Sequence, residues 1–332
     1  MDIALTWLEF SLLASVIGFA GYHLSFHADA IADKTGLGKN FVGIILLGTI
    51  TSLPELMTGV SSVAVTDNPN LAMGDVFGSC VFNLFLVFFL DLVYRESSIF
   101  TRATRGQIIT GTFGIIMLAF AAFSLAMAQL FPVPTLLGAG PSAYVIPVLY
   151  LMAMKFLYGF EKENAAPEAI FEGADRSIRK NVMIFTVSAL VIVVCGTLLP
   201  FLGERIMHVM GWQASFVGTI FVSFATSLPE IAVTVSAMKL DAVDMAFSNL
   251  LGSNLFNLVM LSIDDFAYRK GALMKAAVPG HLITSMTAMM MTGVIILGFV
   301  QPPRRRFLST VSRLSLFILL LFLMNCYVIY RS

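Results

Sequence analysis

Ser52-Leu53-Pro54-Glu55 returns as Ser227-Leu228-Pro229-Glu230, 175 positions later. Each copy lies inside an apolar run. Glu55 is the only ionisable side chain between Phe41 and Val65, and Glu230 the only one between Trp212 and Met238. A second block follows each copy. Gly74-Asp75-Val76-Phe77-Gly78-Ser79-Cys80-Val81-Phe82-Asn83 matches Ser248-Asn249-Leu250-Leu251-Gly252-Ser253-Asn254-Leu255-Phe256-Asn257. The offset there is 174, so the first copy carries one extra residue between its blocks.

A carboxylate at mid-bilayer costs roughly 2.5–3.5 kcal/mol on insertion scales, so it marks a functional site by default. Proline removes the N–H that would bond the carbonyl four residues earlier. Pro54 therefore frees the carbonyl of Ile50, and Pro229 that of Ala225. A carboxylate, two hydroxyls (Thr51 and Ser52; Thr226 and Ser227) and a freed carbonyl then gather on one broken helix. Such hard oxygen donors suit Ca2+ or Na+. A single copy could be a kink carrying a neutral glutamic acid. Two copies, each with the same Ser/Asn block behind it, argue against that.

Composition fixes the class. Of 332 residues, 58% are hydrophobic and 12% charged, with a mean hydropathy of +0.88. That is an all-α, polytopic membrane protein rather than a soluble core. The formal net charge of zero gives no reason to expect nucleic acid or another acidic polymer as a partner. Cys80, Cys195 and Cys326 sit in apolar runs without metal spacing and read as packing residues. The N-terminus lacks a basic region and a small-residue cleavage site, so the first apolar segment reads as a retained helix.

A membrane-crossing helix needs about 20 apolar residues. Ten segments qualify, at 8–27, 40–66, 70–92, 106–130, 142–160, 181–203, 212–238, 243–263, 277–300 and 311–330. Spans 2 and 7 carry the prolines and are expected to be broken. The polar stretch 161–180 reads as a solvated cytosolic hinge between residues 1–160 and 181–332. Lys and Arg set the orientation. With the N-terminus outside, 15 of the 20 fall on inner loops, leaving Arg205, Arg269, Lys270, Lys275 and Arg331 outside. Both termini are therefore expected outside the cell membrane. Each half then has an odd number of spans, so the two five-helix repeats are inverted. In that arrangement matched broken helices meet near the midplane to form a binding site.

Positions four apart share a helix face. Asp75, Ser79 and Asn83 form one stripe, and Asn249, Ser253 and Asn257 its match. Gly78 and Gly252 would let a neighbouring helix approach closely. Asp75 lies near the start of its span, either in the site or at outside water. Glu55 and Glu230 bring two negative charges to one pocket. A divalent cation, several monovalent cations or protons would neutralise them, whereas two bare carboxylates in low dielectric are strongly disfavoured. An empty site should therefore resist crossing while a loaded one passes, which is exchange rather than leak. Protons are expected to compete with cations.

At these blocks the sequence resembles the calcium/cation antiporter superfamily, and within it the prokaryotic sodium/calcium exchangers. The likeness rests on T-S-L-P-E, matched at Thr51–Glu55 and Thr226–Glu230, and on G-S-N-x-F-N or -D, matched at Gly78–Asn83 and Gly252–Asn257. The resemblance implies that Thr51, Ser52, Glu55, Ser79 and Asn83 ligate ions from the first repeat. Thr226, Ser227, Glu230 and Ser253 would do so from the second, with Asn257 at the equivalent position. It also implies that spans 1 and 6 slide across the rest to switch access. Five positions depart from the pattern. Ile50 and Ala225 stand where the family usually has glycine. Asn257 stands where some members have aspartate, Asp75 where asparagine is frequent, and Cys80 where G-S-N has its asparagine.

His23 and His27, four apart with Asp29 and Asp33 beyond, could bind zinc or relay protons; a polar helix end is the plainer reading. The 19 methionines read as packing, and Arg304–Arg306 as an inner-face anchor. The expectation is a monomeric secondary antiporter, not an enzyme, that moves Ca2+ against Na+ and needs no cofactor beyond its cargo ions. The same fold coupled to protons or moving Mg2+ or Mn2+ stays open, as do an acid/base hydrolase and a channel.

Overall fold

Proline and short polar residues decide where the helices of this computed structural model begin. The structure describes residues 3–35, 39–94, 97–102, 104–164, 175–210, 224–303, 306–307 and 311–331. The first helix, α1 (Ile3–Thr35), is followed by short helical turns at Lys39–Val42 and Gly48–Thr51, with a π-helical stretch, Gly43–Leu47, between them. Then come α2 (Leu53–Ala64) and α3 (Pro69–Val93). The Asn68 side chain accepts the Leu71 N–H and Pro69 opens α3, a standard helix start. A 3-10 turn (Ile99–Arg102) leads to α4 (Arg105–Leu130), which Thr104 and Gln107 close with a reciprocal capping box. The chain continues through α5 (Ser142–Asn164), α6 (Asp175–Met210), α7 (Leu228–Lys239), α8 (Val243–Ala267), α9 (His281–Val300) and α10 (Arg313–Arg331). A two-stranded antiparallel pair, β1 (Arg306–Phe307) and β2 (Val311–Ser312), precedes α10.

Among the described residues, seven helices are long and apolar enough to cross a membrane: α1, α3, α4, α5, α6, α8 and α9. An eighth span arises if Asn40–Thr51 and Leu53–Ala64, bent by 43° at Ser52, count as one. Within α10 the apolar part, Arg313–Ile329, is shorter. Residues 211–223, which hold the expected first half of span 7, lie outside the described residues, as do 165–174 of the expected hinge. Span 1, expected at 8–27, is longer, because a helix continues past the apolar run through its polar end to Thr35.

The central helix is α8, buried almost throughout; the π-helical stretch, α2, α3, α4, α5 and α7 all pack on it. Outside this core α1 and α6 lie against each other. The two matched sequence blocks fold alike locally. Each break leads to a 12-residue helix and then to a 25-residue helix. Asp67 and Asp241 between them hold left-handed backbone at φ 54° and 56°, which aspartate tolerates better than most residues. The extra residue of the first copy is absorbed just before Asp67, around the exposed Val65. Asp67 pairs with Lys270, and Asp241 with Arg102 at 2.7 Å, both in exposed positions where such pairs add little stability.

A second matched pair is buried. Asp91 Oδ1 accepts from Ser98 Oγ and the Ile99 N–H, and Oδ2 from the Ser312 N–H and Ser315 Oγ. Asp265 accepts from the Leu273 N–H and the Gly140 N–H. Each acid ties the loop after its own helix to the connection that enters α10 or α5. Removing a charged acceptor strands its donors, so Asp91→Ala should lose about 3 kcal/mol. Thermal unfolding of the purified protein checks this; an unchanged transition would mean that Asp91 does not hold the β1–β2 connection.

Candidate functional site

Both breaks have the same geometry. Ser52 sits at φ −90°, ψ 4° and Ser227 at φ −84°, ψ 6°, with proline in the first turn of the following helix. Glu55 and Glu230 occupy those first turns, where unpaired backbone N–H groups and the helix dipole favour negative charge. Ser52 Oγ crosses to the other copy and donates to Glu230 Oε1 at 2.9 Å. Ser227 faces Glu55 in the reciprocal position, but more loosely than a hydrogen bond. Glu55 is in electrostatic reach of Glu230 and of Asp75. The two halves therefore meet at their breaks.

All the predicted side chains are buried: Thr51, Ser52, Glu55, Asp75, Ser79, Asn83, Thr226, Ser227, Glu230, Ser253 and Asn257. Asp75 is 7% exposed, so of the two positions open to it the structure selects burial. Both Glu55 oxygens, Glu230 Oε2, Asp75 Oδ2, Ser79 Oγ, Asn83 Oδ1, Ser227 Oγ and Asn257 Oδ1 find no hydrogen-bond partner among the described residues. An unsatisfied buried polar group costs about 1–3 kcal/mol. A set of carboxylate, hydroxyl and amide oxygens left open together is the donor chemistry of a hard cation.

Other site residues are engaged. Thr51 Oγ1 donates to the Leu47 carbonyl at 3.1 Å and lies 3.3 Å from Ser253 Oγ, which itself bonds the Gly48 carbonyl at 3.2 Å. The carbonyl of Ile50, expected to be free, accepts the Ser52 N–H. The break recovers that acceptor locally, so it is not fully available to an ion. Ala225 is buried beside Thr226.

Gly252 meets the expectation of close approach: a Cβ there would lie 2.5 Å from Ile44 Cα and 2.7 Å from its carbonyl oxygen. A Cβ on Gly48 would lie 2.7 Å from the Ser253 nitrogen, so the π-helical stretch touches α8 backbone to backbone. Gly78 has nothing within 4 Å of its Cβ position among the described residues. On α6, Gly196 sits against both breaks, its Cβ position 2.5 Å from Pro54 Cγ and 3.2 Å from Pro229 Cγ. Its match on α1, Gly21, meets Ala232 and Val233 instead.

Two asparagines support the site from α8. Asn254 Oδ1 accepts from Asn83 Nδ2 at 3.1 Å, while its Nδ2 reaches the Cys80 carbonyl at 3.2 Å. Asn249 Nδ2 donates to Thr234 Oγ1 at 2.9 Å, and its Oδ1 lies 3.4 Å from Thr51 Oγ1. Asn254 stands in the repeated block; its signal was the mismatch with Cys80. His27 Nδ1 bonds Asn181 Oδ1 at 3.0 Å and its ring stacks on His23, a packing arrangement between α1 and α6. All three cysteines are free thiols.

Comparison with known proteins locates this architecture. The family described as Sodium/calcium exchanger protein matches over residues 5–159 and 180–331. The sodium/calcium exchanger MaX1 of Methanosarcina acetivorans is 24% identical over 268 residues, covering 70% of this chain and 75% of that protein. The inner membrane protein YrbG of Escherichia coli is 20% identical over 278 residues, covering 77% and 80%. Among solved structures, the sodium-calcium exchanger NCX_Mj soaked with Na+ and Sr2+ superposes with a TM-score of 0.75 at 18% identity, over 97% of this chain and 98% of that one. At that identity the likeness shows the fold.

Proposed function

The chain belongs to the sodium/calcium exchanger protein family, whose members are transporters rather than enzymes, and from that membership and the paired breaks we propose that it exchanges Ca2+ for Na+ by alternating access. It is a multi-pass membrane protein and a cation antiporter. The observation that carries the finer reading is the convergence of Glu55 and Glu230 from the two sequence copies, joined by the Ser52–Glu230 hydrogen bond. Two carboxylates neutralise one divalent cation, or several Na+ ions in its place. Either load removes the penalty that holds the empty pocket still.

In this reading Thr51, Ser52, Glu55, Ser79 and Asn83 ligate from one half and Thr226, Ser227, Glu230, Ser253 and Asn257 from the other. Asp75 adds negative charge, and the carbonyls of Ile50 and Ala225 line the breaks. Residues 1–160 and 181–332 act as inverted repeats, joined by 161–180 on the cytosolic side, with both termini outside the cell membrane. The protein works as a monomer.

The test is uptake of radiolabelled Ca2+ into proteoliposomes loaded with Na+, repeated with a pH gradient alone. Na+-driven uptake supports the reading. Uptake driven only by the pH gradient would assign proton coupling, and downhill flux without a counter-ion would assign a channel. Replacing Ca2+ by Mg2+ or Mn2+ fixes the divalent.

A further inference from the structure

Asp264 belongs to neither repeated block. Its match 174 positions earlier is Leu90, so only the second half carries this acid. It lies on α8 with no exposure, and neither carboxylate oxygen has a hydrogen-bond partner among the described residues. Its neighbour Asp265 is the opposite case, committed to the N–H groups of Leu273 and Gly140. Asp264 is aimed at Gly59 of α2: a Cβ on that glycine would lie 2.8 Å from Oδ2 and 3.0 Å from Oδ1. Gly59 follows Glu55 by one helical turn on the same face. Asp264 is also in electrostatic reach of Asp75, which in turn reaches both Glu55 and Glu230. Asp75 Oδ2 is likewise buried and unpartnered.

We propose that Asp264, facing the side-chain-free surface at Gly59 and with the Asp75 charge within electrostatic reach, forms a second station for a hard divalent cation, between the central pocket and the membrane face at which α8 ends and Lys270 stands. The inference rests on the exchanger reading. A carboxylate left open in a buried setting costs far more than its replacement by an apolar residue would, and a cation resting at Asp264 removes that cost. Asp264 is not needed to close the central pocket, where Glu55 and Glu230 already match a divalent charge. The station would hand a cation from Asp264 past Gly59 to Glu55, one turn away along α2.

Two measurements test it. The first is calorimetric titration of Ca2+ into purified protein carrying Glu55→Gln and Glu230→Gln together. Residual Ca2+ binding is expected, and adding Asp264→Asn should abolish it. The second is Ca2+ uptake by sided vesicles, measured from each face. Asp264→Asn should raise the half-maximal Ca2+ concentration roughly tenfold from the face at which α8 ends and leave the other unchanged. Gly59→Ala, which keeps the acid but fills its space, should do the same and replaces Asp264→Asn if that variant does not fold. No residual binding in the double variant, binding that survives Asp264→Asn, or an equal loss from both faces would overturn the station; the last is what a merely structural acid gives. If the wild-type protein transports nothing, the exchanger reading fails, and the calorimetric result still decides whether Asp264 holds a cation.

Discussion

Glu230→Gln and Glu55→Gln should each lower Na+-driven Ca2+ uptake by at least roughly 100-fold, more than the 10–100-fold typical of losing an outer-shell partner of a metal. Glutamine keeps the shape and removes the charge, so a divalent ion would be left with half of its neutralisation in a buried pocket. Neither variant should lose much stability. Glu230→Gln can still accept from Ser52, because an amide oxygen replaces Oε1. Glu55→Gln relieves a carboxylate that has no hydrogen-bond partner among the described residues, so it should unfold no earlier than wild type. The double variant should transport no worse than either single one, since the carboxylates act as a unit and such effects do not add. Uptake by either single variant above a tenth of wild type would mean that the carboxylates do not share one ion.

The largest structural effect is expected at Gly252. Its Cβ position collides with backbone atoms of Ile44 at 2.5, 2.7 and 3.0 Å, and backbone cannot swing aside as a side chain can. Overpacking usually costs about 1–3 kcal/mol; Gly252→Val should reach or pass the top of that range. It should also part Ser253 from the Gly48 carbonyl and so disturb Thr51. Gly293→Ala in α9 is the contrast. Among the described residues nothing lies within 4 Å of its Cβ position, so it should be neutral or slightly stabilising, as alanine is the better helix former. Thermal unfolding and monodispersity of the two variants decide the matter. Equal behaviour would remove the backbone contact between α8 and the π-helical stretch from the account of the fold.

The repeated blocks were legible because their residue types are costly in lipid. A proline beside a glutamate, twice, has few harmless explanations, and the two copies do meet in space. Other features leave no such mark. Gly43–Leu47 forms a π-helical stretch from residues that would serve equally in an α-helix. The Ile50 carbonyl was counted as free because proline removes its usual donor, but Ser52 supplies another from within the break. Gly252 and Gly78 are equivalent in sequence; whether each is a contact depends on what lies opposite, which periodicity does not encode. Asp91 and Asp265 sit where an apolar run ends and so resemble solvated helix ends. Their hydrogen bonds come from residues up to 224 positions away. Asp264 beside them is apart from both in kind, and only its surroundings reveal that.

One asymmetry has a mechanical reading. Gly196 lies between the two prolines, whereas Gly21, 175 positions earlier, rests on Ala232 and Val233. If transport makes the halves trade places, each residue inherits its twin's neighbours. Gly21 would then slip between Pro229 and Pro54, and Gly196 would settle on Met57 and Thr58, the twins of Ala232 and Val233. On that condition the opposite posture of the carrier would follow from this one by a half-turn with the labels exchanged.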